Sequence, residues 1–333
     1  MRIRSIATLA LTALLAVGAG AALPAAADTA PSTDDLTWSL APGAGPDPER
    51  TVVGATGEDR ANYAYAVDPG DEVSDTLVVA NRSTTPLELS VYATDAFTTR
   101  DGHLDLLPAD GSPSDLGTWI TLDLPGDTLS LDAGASAEVP FTLTVPDDAT
   151  PGDHAGGLVT SMQQTVGDGA VSVDRRLALR VHARVSGDLS PGIEVRDLRL
   201  DAATGVNPLA TADATVTYTL VNTGDARVVP DESVTVAGPG GSAVQTVSAD
   251  LGELLPGAEV ERTVEVTGVR PFFRATADVR VDGVVVGIGG GGAVADSAET
   301  AGWVVPWAAL AVVVLVVAGV VVWVVRRPVR PAD

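Results

Sequence analysis

The chain has 333 residues, no cysteine and a formal net charge of −24 at pH 7. The absence of cysteine excludes disulfide bonds, thiol catalysis and a lipid anchor attached through cysteine. The strong negative charge disfavours binding to nucleic acid and to anionic lipid or teichoic-acid surfaces.

The first 27 residues have the composition of an export signal. Arg2 and Arg4 give a positive start, a long apolar run follows, and Ala25-Ala26-Ala27 forms a small-residue cleavage site. We therefore predict a signal peptide over 1–27 and a mature chain that begins at Asp28 outside the cytoplasm.

The part that follows has a β pattern throughout. Short runs rich in Val, Thr, Leu and Tyr alternate with clusters of Asp, Gly, Pro and Asn at intervals of roughly 8–12 residues, as in antiparallel sandwiches. No soluble stretch shows a sustained 3.6-residue apolar period. We predict an all-β protein with two tandem immunoglobulin-like β-sandwich domains, over 36–187 and 190–286.

An internal repeat supports the count of two domains. The strand that runs into Asn81-Arg82-Ser83 has a counterpart that runs into Asn222-Thr223-Gly224. The first copy is longer, mostly between Phe97 and Gly117. A long insertion in a compact sandwich predicts a binding site, and the alternative is a tolerated surface loop.

Residues 36–185 resemble the peptidoglycan-binding domain of the WxL-interacting protein family. The segments that carry the resemblance are Tyr65–Gly70, Leu77–Ser83, Asp95–Gly102, Leu116–Ile120, Val139–Pro146 and Pro151–Gly157. The resemblance implies an immunoglobulin-like sandwich at the wall of a Gram-positive bacterium that binds peptidoglycan without catalysis. In relatives a second domain contacts other proteins, whereas residues 190–290 of this chain read as a generic immunoglobulin-like module.

Seven side chains are candidates for ligand binding: Phe97, Arg100, His103, Trp119, Arg180, His182 and Arg184. An exposed ring can stack on a sugar, and arginines can hold the carboxylates of wall peptides. For Trp119 the alternative is a place in the core. For the basic stripe on the strand Leu177–Val185 the alternative is pairing with carboxylates on neighbouring strands of the same acidic domain.

The sequence predicts no catalytic residue, metal or cofactor. The patterns H-E-x-x-H, G-x-S-x-G and S-x-x-K are absent. Gly287–Gly292 satisfies G-x-G-x-x-G, but no helix of a βαβ unit follows it, so we interpret it as a linker. We expect a protein that is not an enzyme.

The C-terminal part is predicted to anchor the chain in a membrane. Residues 303–325 are uncharged and apolar, and a helix of that length crosses a hydrocarbon core of about 30 Å. Tryptophans lie near both ends, and the arginines in the predicted tail, 326–333, mark the cytoplasmic side. Residues 287–302 are predicted to form a flexible tether.

These features predict a single-pass plasma-membrane protein with its N-terminus outside and its ectodomain in the cell-wall space. The main hypothesis is non-enzymatic binding of peptidoglycan or another cell-wall polymer. The alternative is a scaffold or adhesion protein that recognises another exported protein, since a partner strand can extend a sandwich edge. An envelope hydrolase is a third hypothesis, which the lack of a catalytic signature disfavours.

Overall fold

The computed structural model describes residues 36–43, 60–166, 171–203, 212–238, 242–269, 273–305 and 307–327. The predicted signal peptide and residues 328–333 of the predicted tail lie outside these ranges.

The first domain is a sandwich of two β-sheets. Its strands are β1 (Trp38–Pro42), β2 (Tyr63–Val67), β3 (Glu72–Asn81), β4 (Leu87–Thr98), β5 (Leu104–Leu106), β6 (Ile120–Leu122), β7 (Thr128–Leu131), β8 (Ser136–Thr144), β9 (Gly152–Val166) and β10 (Val171–Val185). One sheet has the order β1-β3-β8-β6, and the other has the order β2-β10-β9-β4-β5 with β7 also paired to β4. The pairs are antiparallel except for β2 with β10, which is parallel. A short helix, α1 (Leu116–Trp119), precedes β6.

The second domain is a smaller sandwich. Its strands are β11 (Glu194–Ala203), β12 (Ala212–Val221), β13 (Val228–Gly238), β14 (Ser242–Asp250), β15 (Glu259–Val269), β16 (Phe273–Val285) and β17 (Ala293–Val304). They form two antiparallel sheets, β11-β12-β15 and β14-β13-β16-β17. Each domain encloses its own cluster of buried apolar side chains. The predicted all-β fold of two immunoglobulin-like sandwiches is confirmed.

Each domain contains a buried carboxylate that is paired with an arginine. Asp75 lies on the inner face of β3 and receives two hydrogen bonds from Arg60, at 2.7 and 2.6 Å, and one from the Tyr65 hydroxyl at 2.7 Å. In the second domain Arg262 donates to the buried Glu232, with Nε at 3.1 Å from a carboxylate oxygen. A buried carboxylate is tolerated only when such partners replace its hydration.

The asparagine turns of the internal repeat have the same structure in both domains. The Asn81 side-chain amide donates to the carbonyl of Leu131 at 3.1 Å, and the Asn222 amide donates to the carbonyl of Leu254 at 3.1 Å. Each side-chain oxygen accepts the backbone N–H two positions further on, at 2.8 and 3.1 Å. Both asparagines are buried, so they pin the turn to a distant loop rather than only shaping it.

The C-terminal end of the second domain differs from the prediction. Residues 293–304 are not a tether but strand β17, which pairs with β16 over twelve residues. Four of its twelve residues are alanine, and its inward side chains are only half-buried except for Val304, so the apolar alternation is weak. Backbone hydrogen bonds to β16 hold this strand in place. Such bonds cannot be predicted from the hydropathy of the sequence.

The apolar C-terminal helix is α2 (Trp307–Arg326), with a mean hydropathy of 3.1 and no buried residue. Among the described residues it is the one helix long and apolar enough to cross a membrane. It begins at Trp307 rather than at Trp303, because Trp303 and Val304 belong to β17.

The predicted tether and the observed strand β17 lead to different expectations for proteins truncated before and after residues 293–304. We expect a fragment of residues 28–305 to be soluble and β-rich. A fragment of residues 28–286 should aggregate or lose the thermal transition of its second domain, because β16 becomes an unpaired edge. Size-exclusion chromatography and circular dichroism on both fragments test this. Equal solubility and equal melting of the two fragments would contradict a structural role for β17.

Candidate functional site

Three of the seven candidate residues lie on the β4–β5 hairpin. Phe97, Arg100 and His103 are all exposed, and 38% of the Phe97 surface is accessible to solvent. The hairpin forms the first part of the predicted insertion, and the rest of the insertion forms the loop that leads into α1. The structure therefore places these three side chains on the exposed part of one hairpin.

The same hairpin contacts the second domain. The carbonyl of Arg100 accepts the backbone N–H of Glu261 at 3.1 Å, and the Thr98 hydroxyl accepts the N–H of Leu255 at 3.3 Å. At least part of the insertion thus serves to join the two sandwiches.

Trp119 lies in the core rather than on a binding surface. It is the last residue of α1, is only 8% exposed, and its ring centroid lies 4.5 Å from that of His154. The Asp95 carboxylate holds α1 in place, because it accepts the backbone N–H of Gly117 at 2.6 Å and that of Asp115 at 2.9 Å. This is the core alternative that the sequence left open.

The basic stripe of β10 divides into two environments. Arg180 is exposed, whereas His182 and Arg184 are buried. The outward face of β10 is covered by the second domain near the C-terminal end of the strand and is open to solvent nearer its start. The three side chains therefore do not form a continuous ladder on the surface.

Arg184 is part of a buried charge cluster between the domains. Its Nε donates to the Asp153 carboxylate of β9 at 2.7 Å, and its Nη2 donates both to the same carboxylate and to the Val286 carbonyl, the latter at 2.7 Å. Asp153 also accepts the backbone N–H of Arg227 at 2.7 Å, and the Arg227 guanidinium pairs with Glu253 at 2.6 Å. We call these five residues the domain joint. Sequence spacing gave no signal for it, because Asp153 lies 31 residues from Arg184 and 74 from Arg227.

The glycine-rich stretch Gly287–Gly292 forms one wall of the domain joint. Gly287 has φ +101, and a Cβ atom there would lie 2.4 Å from Nη2 of Arg227 and 3.1 Å from Nη2 of Arg184. The Ile288 carbonyl accepts a further hydrogen bond from Arg184. The stretch connects β16 to β17, and the positive φ of Gly287 and the close approach of two guanidinium groups favour glycine at this position.

His182 lies beside the domain joint in a neutral form. Burial is the main cause that lowers its pKa to about 4, and the positive charge of Arg227 adds to it. Glu253 and Asp153 act in the opposite direction but are weaker. Its Nδ1 atom is buried and has no hydrogen-bond partner among the described residues.

His154 has the opposite electrostatic environment on the neighbouring strand. Burial by itself lowers its pKa, but hydrogen bonds to the Asp115 carboxylate at 2.7 Å and the Thr150 carbonyl at 3.0 Å outweigh this effect and raise the pKa above 6.5. Both partners only accept hydrogen bonds, so both contacts together require the doubly protonated ring. A cleft of about 210 Å³ opens beside His154 between the domains, and Leu255 contributes to its lining.

In the described part of the chain, the first half of β10 has a strand partner on one side only. β9 pairs with β10 along its whole length, whereas β2 pairs only with Val181–Val185. Over residues 171–180, β9 is the sole strand partner in the described part of the chain. Two apolar side chains project from this half, Val173 and Leu177, and they are 39% and 40% exposed.

The structure shows which backbone groups of β10 point away from β9. The N–H of Arg180 donates to the side-chain oxygen of Asn62 at 3.1 Å, on the side opposite β9. The β9–β10 register is continuous, so the N–H groups of Ala178, Arg176 and Asp174 point the same way. They form a row of backbone groups ready to pair with a strand.

No group of three or more His, Asp or Glu side chains that could hold a metal ion occurs within the described ranges.

No protein-family model and no curated protein matches the chain. Several solved structures resemble it. The class 5 fimbriae chaperone CfaA is 12% identical, with 70% of this chain and 95% of that chain covered and a TM-score of 0.35. The YadV chaperone is 11% identical, with 80% and 100% covered and a TM-score of 0.33. The E. coli chaperone DraB is 11% identical, with 78% and 96% covered and a TM-score of 0.32. At these identities and scores the similarities assign no ligand, partner or activity to this chain.

Removal of the Asp153 carboxylate should loosen the domain joint. In Asp153→Ala the buried Arg184 guanidinium loses its carboxylate hydrogen bonds and the Arg227 guanidinium loses a carboxylate 3.6 Å from its Nε. Loss of such a buried partner costs about 3–5 kcal/mol, which opening the joint to water can recover. Distances between spin labels on single cysteines at positions 88 and 265 should therefore broaden. Glu194→Ala, which removes only an exposed partner of Arg196, serves as the control. A narrow, unchanged distance distribution in Asp153→Ala would show that the joint does not fix the domains.

The two histidines predict opposite pH effects on stability. Because the folded-state pKa of His182 is depressed from 6.5 to about 4, its stabilising effect is complete above pH 6.5 and is lost as the pH falls through 4. We expect His182→Gln to reduce the fall in melting temperature over this window, where the wild-type effect is at most about 3 kcal/mol. His154 stabilises the folded state below pH 6.5, and this stabilisation is lost as the pH rises through its raised pKa. His154→Gln should therefore keep the acid-side slope, and an unchanged slope in His182→Gln would contradict the assignment.

Proposed function

We propose that this chain is a membrane-anchored, non-enzymatic binding protein that recognises another exported protein. Its first domain would accept an extended segment of that partner as an additional strand beside residues 171–180 of β10. The observation that carries the proposal is the edge of β10 that is unpaired among the described residues, where a row of outward-pointing backbone groups and two exposed apolar side chains occur together.

Strand addition suits the chemistry of this edge. Backbone hydrogen bonds supply affinity that depends little on the partner's sequence, and alternate side chains supply specificity. Val173 and Leu177 are four residues apart on one face, a separation of about 13 Å along a strand. Arg176 and Arg180 lie on the other face of this acidic chain. A partner strand with apolar residues on one face and carboxylates on the other would complement both the apolar pair and the two arginines.

An edge that binds a strand should be blocked by a proline at a position whose backbone N–H points away from the sheet. The N–H of Arg176 points away from β9, so Arg176→Pro removes an outward donor and leaves the β9 pairing intact. A photo-crosslinking residue at position 177 of the full chain in its native membrane should give an adduct with a second protein. Arg176→Pro should abolish the adduct without changing the melting temperature of the first domain by more than a few degrees.

Two controls accompany this experiment. The crosslinker at Glu88, an exposed residue on the interior strand β4, should give no adduct. Leu177→Pro removes a donor that faces β9, so it should lower the melting temperature instead. An adduct that survives Arg176→Pro, or no adduct at position 177 at all, would count against strand addition.

A second candidate function is binding of peptidoglycan or another wall polymer. The observation in its favour is the exposed hairpin that carries Phe97, Arg100 and His103 together. The ring offers an apolar face for a sugar, and the guanidinium group offers a partner for a peptide carboxylate.

Co-sedimentation with purified peptidoglycan tests the second candidate. If the hairpin binds the wall, residues 28–305 should be retained, and Phe97→Ala should weaken retention about two- to tenfold, since aromatic contacts contribute about 0.5–1.5 kcal/mol. Arg100→Ala should weaken the dependence of retention on salt, and Glu88→Ala should retain normally. Absence of retention at all salt concentrations would remove this candidate and leave strand addition in place.

A further inference from the structure

The second domain is joined to the membrane-spanning helix almost without a connection. β17 ends at Val304 and α2 begins at Trp307, so three Cα–Cα steps separate them and their ends lie at most about 11 Å apart. The backbone N–H of Trp307 donates to the carbonyl of Val305 at 2.9 Å, which tightens the turn further. If α2 spans the bilayer, as the proposed function requires, the end of β17 must lie at the membrane surface.

The side chains at this end have the chemistry of a lipid headgroup region. Trp303 is 74% exposed and Trp307 is 70% exposed. Across the β16–β17 ladder, Trp303 pairs with Arg274, which is also exposed. Indole rings prefer the headgroup level of a bilayer, and a guanidinium group pairs with phosphate through charge-assisted hydrogen bonds.

The charge distribution also distinguishes the two sheets at this end of the domain. The acidic residues Asp201 and Asp213 lie on β11 and β12 of the other sheet. Arg274 and Trp303 lie on the β16–β17 side, which is continuous with α2. The side with an aromatic ring and a cation is therefore the one that the chain brings to the bilayer.

We propose that the end of the β16–β17 ladder is a phospholipid-binding surface, on which Trp303 lies at headgroup level and Arg274 pairs with lipid phosphate. The second domain then rests on the outer face of the membrane in a fixed orientation instead of moving on a tether. This inference rests on the membrane anchor of the proposed function, but not on the identity of the partner.

The cysteine-free chain permits a direct test with single labels. Full-length Ala301→Cys and Ala293→Cys variants carry a fluorophore at opposite ends of β17, about 26 Å apart along the strand. Both are placed in vesicles of phosphatidylcholine and phosphatidylglycerol that contain a headgroup-attached quencher. We expect quenching at position 301 to exceed quenching at position 293 at least threefold.

A second pair of variants separates lipid binding from forced proximity. Ten Gly and Ser residues inserted after Val305 free the domain from its short connection. We expect the inserted protein to keep most of the quenching at position 301. Adding Trp303→Ser and Arg274→Gln to the insertion should lower that quenching to the level of position 293.

The quenching and flotation results distinguish the lipid-binding surface from the membrane anchor. Quenching at position 301 that equals that at position 293 in the chain without the insertion overturns the proposal, and so does its loss on insertion alone. If the chain fails to float with the vesicles, the anchor itself fails and the proposed function falls with it. If the chain floats but position 301 is not quenched, only the lipid-binding surface is lost.

Discussion

The shared carboxylate of Asp153 is the interaction on which the arrangement of the two domains depends. It lies on β9 of the first sandwich and takes hydrogen bonds from Arg184 of its own sheet and from Arg227 of the second domain. Two buried cations are tolerated there because each also has further acceptors: the carbonyls of Val286 and Ile288 for Arg184 and the Glu253 carboxylate for Arg227. The domains can separate only by exposing these charges without their partners, so the joint favours a single orientation.

The two halves of strand β10 have different neighbours. Its C-terminal half pairs with β2 and supplies Arg184 to the joint, so it is held on both sides. Its N-terminal half has β9 on one side and an open edge on the other within the described structure. The proposed binding edge is thus continuous with the element that fixes the domain orientation.

A short connection links the apolar helix α2 to the second sandwich, and the domain joint links that sandwich to β10. The chain passes from α2 into β17 within three residues, through the second sandwich to the joint, and then along β10. If α2 spans a bilayer, as the proposed function requires, this short connection limits the distance between the second sandwich and the membrane surface.

The sequence by itself determined the β class, the two sandwiches and the apolar helix, because alternation, turn residues and a long uncharged run are local signals. It also located the paired asparagine turns and left open the core position of Trp119. Only the tertiary structure decided that 293–304 is a strand and that Gly287 makes room for Arg184 and Arg227. Those features depend on backbone pairing and on contacts between residues far apart in the chain, and neither leaves a periodic trace in the sequence. The domain joint could not be predicted for the same reason: its charged residues are far apart in the sequence, and only the fold buries them together.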